Sequence, residues 1–101
     1  MDKTPERPPF KVITDIIPAG VDLELAKQRN NLIKSWRDGE ADALSVAREL
    51  HGLYWQTQNL TNGETNVYLM DAVVEFSVEA NLTQKQASEL WHEAMKNKDK
   101  Y

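Results

Sequence analysis

Cysteine is absent from this chain of 101 residues. That excludes disulfides and thiolate metal sites, and makes a reducing compartment, the cytoplasm, the expected home. Glycine is scarce and scattered: Gly20, Gly39, Gly52 and Gly63 stand alone, so no phosphate-cradling loop or dinucleotide-binding turn can be assembled from them. Histidine is limited to His51 and His92. The stretch "HEAM" lacks the second histidine of a metalloprotease motif, and two histidines among dispersed carboxylates make a poor zinc site, so neither metal nor cofactor is expected. No apolar run nears the roughly 20 residues that cross a bilayer, and "MDKTPERPPF" lacks the apolar core of a secretory signal, so no membrane role is expected. Without such a signal the sequons at Asn59 and Asn81 read as a loop and a helix start.

Basic residues are missing where acids are dense. From Asp38 to Glu79 eight acids face the single base Arg48, a net of -7 within a chain whose total is -4. Such a field repels nucleic acid and attracts basic partners. The last residues, with Lys96, Lys98 and Lys100 against Asp99, end mildly basic.

What remains is ordinary globular material, 41% hydrophobic and 28% charged, enough for one core and one domain. Residues 1–9, with Pro5, Pro8 and Pro9, read as a flexible or polyproline-like arm, residues 10–97 as a single helical domain, and 98–101 as a frayed tail. "FKVITDIIP" fits either a short strand or one turn of helix.

Four helices follow from the apolar spacing. Asp22 is the expected N-cap of the first, which runs to about Asp38 and stops at Gly39, with Val21, Leu25, Leu32, Ile33 and Trp36 on its stripe and Ala26 at the margin. Arg29 falls inside that stripe, where a guanidinium either reaches the edge or pairs with a carboxylate of another helix. The second helix, about Asp42 to Gln56, carries Ala43, Val46, Ala47, Leu50, Leu53 and Tyr54 at helical spacing. Leu44, His51 and Trp55 form a second strip on its flank, to be met by another helix or left as a contact surface.

"NVYLMDAVVEFSVEA" is the ambiguous segment. Asn62-Gly63 before it is a hairpin signal, so an α+β fold with a hairpin there is the alternative to a mainly α bundle. The helical reading is favoured by Asp71, Glu75 and Glu79, spaced four apart on one side. It places Val67, Met70, Val74 and Val78 on one face and Leu69, Val73 and Phe76 on another, which predicts a helix central to its bundle. The last helix opens with "TQKQ", a capping box in which Thr83 is the N-cap and Gln86 its partner, and buries Ala87, Leu90, Trp91 and Ala94.

Like charges four apart cost a few tenths of a kcal/mol per pair. The strip of Asp71, Glu75 and Glu79 is therefore either the wet edge of a buried helix or a docking surface for a basic protein, with Tyr68 as an aromatic anchor. Three carboxylates aimed outward in a line lack the cleft that acid–base work requires, so a role without catalysis is expected. By size, acidity and lack of catalytic groups the chain is similar to the small inhibitor and immunity proteins of bacteria and phages, a likeness of class that rests on no motif. Those proteins shield or block a partner, often a basic nuclease.

Two further readings stand beside a protein-binding module. Short-turn spacing around "ANL" resembles a helix-turn-helix, with Gln84, Lys85 and Gln86 entering the groove of a duplex. A self-assembling module would bury Leu44, Trp55 or the N-terminal isoleucines between copies.

Overall fold

The computed structural model describes residues 16–97. They form four helices: α1 (Leu23–Arg37), α2 (Ala43–Thr57), α3 (Gly63–Glu79) and α4 (Gln84–Asn97). No strand occurs among the described residues, so the mainly α reading holds and the hairpin at Asn62-Gly63 is replaced by a helix start. The arm at 1–9, the tail at 98–101 and most of "FKVITDIIP" lie outside the described residues; Ile16 and Ile17 are in neither helix nor strand.

Side-chain caps fix the starts of three helices. Asp22, Asp42 and Asn62 each keep extended backbone while their side chains accept from Leu25 N, Ser45 N and Thr65 N, satisfying amide groups that a helix leaves unpaired in its first turn. The amide of Ser45, hydrogen-bonded to Asp42, holds that carboxyl below its usual range. Asn62 is therefore spent on capping, which turns the dipeptide with a hairpin signature into a helix signal. The expected capping box is present at α4: Thr83 N donates to Gln86 Oε1, and Gln86 N donates to Thr83 Oγ1.

Two helices end in the same left-handed device. After α1, Gly39 has φ +81°, and the amides of Gly39 and Glu40 reach the carbonyls of Trp36 and Ser35. After α3, Asn81 takes φ 60°, and the amides of Asn81 and Leu82 reach Val78 and Ser77. Both are Schellman closures, with glycine in one and asparagine, the usual substitute, in the other.

The core joins Ile33 of α1 to Val46, Ala47 and Leu50 of α2, Ala72, Val73 and Phe76 of α3, and Leu90 of α4. Trp36 meets Phe76 edge-on at 5.1 Å. α2 packs against all three other helices, and α3 packs mainly against α2 and α1. The apolar spacing points to α3 as the central element; in the structure α2 takes that place. Its two apolar faces are unequal: Leu69, Val73 and Phe76 are buried, while Val67, Val74 and Val78 stay 55–60% exposed.

Hydrogen bonds tie the starts of α1 and α3. Asp22 N donates to Thr65 Oγ1 at 2.8 Å, and Asn62 Nδ2 donates to the Gly20 carbonyl at 2.8 Å. Thr65 is fully buried, so a hydroxyl there matches a backbone donor from the neighbouring helix. Among the described residues no helix is long and apolar enough to cross a membrane.

Candidate functional site

The four-residue acidic spacing on α3 winds slightly around the helix, because four residues turn 400°. That drift carries one end of the strip inward. Glu79 is 4% exposed and accepts both Nε and Nη2 of Arg37. Glu75 is half-buried; burial first and then the Asp71 charge push its carboxyl up, while Arg29 pulls it down. Asp71 is open to solvent. Of the three carboxylates expected to point outward in a line, only Asp71 fully does so.

Tyr68 is also inside, 9% exposed. Its hydroxyl donates to the Ile16 carbonyl at 3.1 Å, and the Arg29 guanidinium lies over its ring at 4.2 Å. This explains Arg29 in the apolar stripe of α1: the cation stacks on an aromatic face, a contact worth roughly 1 kcal/mol or more once water is excluded. Tyr68 and Glu79 thus serve the α1–α3 contact and are not surface anchors.

The flank of α2 divides in the same way. His51 is 2% exposed and Leu44 is 40% exposed. His51, Tyr54 and Trp55 gather around Trp91 of α4, with ring centroids at 5.9, 6.0 and 4.9 Å. His51 and Trp55 therefore meet another helix, and Leu44 alone of that strip remains open. Among the described residues neither ring nitrogen of His51, nor Trp55 Nε1, finds a hydrogen-bond partner. Burial pushes the His51 imidazole down to about 4, although Glu93 opposes the shift, so it is neutral at pH 7.

An open groove of about 440 Å³ runs between α3 and α4 on the outside of α2. Val74 and Val78 form one wall, Ala87, Ser88 and Trp91 the other, and His51 and Val73 lie between. Exposed Val74 and Val78 border it, so part of the apolar stripe that the spacing places on α3 runs along the groove. A second cleft, between α1 and α2, mixes Leu32 and Leu53 with Gln28, Arg48, Glu49 and Gln56, and Arg48 there pairs with Glu93 at 3.1 Å.

Helical spacing puts Val67, Met70, Val74 and Val78 on one face of a central helix and Trp91 on the buried side of α4; the structure leaves the three valines exposed and Met70 and Trp91 half-buried. Arg37, the partner of Glu79, carried one signal, a base in the last turn of α1. Of the helix-turn-helix trio, Gln84 and Lys85 are exposed, but the Gln86 side chain is engaged in the cap. Among the described residues no three potential metal-ligating side chains cluster.

No family model matches the chain, and no curated protein or solved structure matches it either.

Proposed function

We propose that the protein is a non-enzymatic binding module of the inhibitor or immunity type, cytoplasmic, acting on a basic protein through the outward face of α3. The observation that carries this reading is the row Val67, Val74 and Val78, more than half exposed beside the solvent-facing Asp71. Leaving each valine so exposed forgoes on the order of 1 kcal/mol of burial. An apolar row beside a carboxylate on a helix with a well-filled inner face has the makeup of a partner surface. The binding set thereby shifts from Tyr68, Asp71, Glu75 and Glu79 to Asp71 and Glu75 with the valines. The acidic side of α3 and the engagement of Gln86 in a helix cap both weigh against duplex DNA as the target.

The test is retention of partners from a lysate of the producing cells on the immobilised full chain. Wild type is compared with Asp71→Lys/Glu75→Lys and with a control reversal on α1, Lys27→Glu. Retention lost in the α3 variant and kept in the control supports the reading. Retention equal in all three, or lost only in the control, overturns it.

A further inference from the structure

We propose that α4 is a hinged segment that swings off α2 while α1, α2 and α3 stay packed together, and that protonation of His51 drives its release.

The packing of α4 supplies the weak point. α1, α2 and α3 all pack on one another, whereas α4 packs mainly against α2 and buries Leu90 alone. Segments with few buried apolar contacts open before the rest of a fold. The link to α3 is the short connection at 80–83, turned by Asn81 at φ 60°, so a change of backbone angle there moves the helix as one body. Beyond Leu90 the seam is held by Trp91 against His51, Tyr54 and Trp55, and by the exposed pair Arg48–Glu93 at 3.1 Å. Exposed ion pairs add little.

His51 lies under this seam at 2% exposure, and among the described residues neither of its ring nitrogens finds a hydrogen-bond partner. Trp55 Nε1 beside it is in the same position. Buried polar groups without partners favour any state that returns them to water, and a charged imidazole favours it far more. The charges that face the ring are few. Glu93 of α4 favours the protonated form but is engaged with Arg48, which lies one turn before His51 on α2. The groove residues of α3, Val73, Val74, Ser77 and Val78, are uncharged, and no charge from α1 acts on the ring. The cation therefore has no free acceptor at the seam.

Release of α4 returns the ring to water and to its ordinary value of 6.5, against about 4 when docked. The released state binds the proton more readily, so docking is strongest above pH 6.5 and weakens as pH falls toward 4. Ala87, Ser88 and Trp91 form one wall of the α3–α4 groove. That wall is the part that moves.

The experiment is native-state hydrogen exchange of the full chain without a partner, at pH 7, 5 and 4, with each amide's protection converted to an opening constant. The amides of α4 are expected to share one opening constant, larger than that of the protected amides in α1, α2 and α3. From the two values for His51 it should rise roughly 20-fold from pH 7 to pH 5 and on the order of 100-fold to pH 4. In His51→Phe the rise to pH 5 should shrink below about threefold, and in Glu93→Gln it should persist. The wild-type profile tests the hinge even where the phenyl ring is not accommodated, and His51→Leu then replaces that variant. One opening constant shared by all four helices overturns the inference, because the bundle then opens only as a whole. So does an α4 opening constant indifferent to pH, or a rise that survives in His51→Phe and vanishes in Glu93→Gln, which assigns it to the ion pair. Stronger protection of α4 in acid also overturns it, since the Trp91 ring would then hold the cation in place.

Discussion

Arg37 and Glu79 meet across the C-terminal ends of α1 and α3 in a two-pronged contact, Nε to Oε2 at 2.8 Å and Nη2 to Oε1 at 2.6 Å. The guanidinium side chain is 19% exposed and the carboxylate 4%, so the pair is largely shielded from water and from screening by salt. Removing one partner of such a pair leaves a buried charge uncompensated, whereas replacing both with apolar residues is often neutral. Glu79→Ala is expected to cost about 3 kcal/mol in urea denaturation, and Arg37→Met/Glu79→Leu to recover most of it. Asp71→Asn, on the same strip but in solvent, should stay within about 0.5 kcal/mol of wild type.

His51 gives the fold an acid-sensitive point. Its folded-state value of about 4 lies below the ordinary 6.5, so the unfolded chain binds the proton more readily between those limits. Stability from this group is complete above pH 6.5 and is lost as pH falls toward 4, by about 3 kcal/mol at most. Denaturation midpoints measured from pH 7 to pH 4 should fall more steeply for wild type than for His51→Phe. Parallel curves would show that the imidazole is not held neutral by burial.

Asn81 holds a left-handed backbone at φ 60° between α3 and α4. Glycine adopts that conformation without penalty and a β-branched residue does so badly. Asn81→Gly is expected to keep or raise stability by up to about 1 kcal/mol, and Asn81→Val to lower it by about 1–2 kcal/mol. Thermal unfolding of the two variants is the check.

Thr65 links two helix starts through one hydroxyl, accepting from Asp22 N at 2.8 Å in a fully buried position. Thr65→Val keeps the shape and orphans the amide. A loss of about 1–3 kcal/mol is expected, with Thr65→Ser retaining more of the native stability, as read by urea denaturation.

Helix number, the Asp22 cap, the Gly39 stop and the Thr83–Gln86 box were legible because each depends on neighbours a few residues apart in the chain. The alternation of "VVEFSVEA" did not produce strands: Asn62 capped a helix, and helical spacing then buried Leu69, Val73 and Phe76 together. What stayed hidden depends on contacts between residues distant in sequence. Arg37 is separated from Glu79 by 42 positions, and Arg29 meets Tyr68 only after α1 and α3 pack. For that reason the acidic strip looked uniform in the sequence although its members have three different fates. The valine row failed for the opposite reason: its spacing was clear, but spacing alone does not say which of two apolar faces the bundle will use. Trp91 and His51 are distant in sequence, and only the packing of α2 against α4 brings them to one groove.

The most direct test of the outward α3 face as the working surface is hydrogen–deuterium exchange of the full chain, alone and in complex with whatever protein it retains. Slowed exchange is expected on α3 and α4 around Val74, Val78 and Trp91, and is expected to be absent with Asp71→Lys/Glu75→Lys. Protection centred instead on the α1–α2 cleft or around Leu44, with the α3 face unchanged, would contradict it.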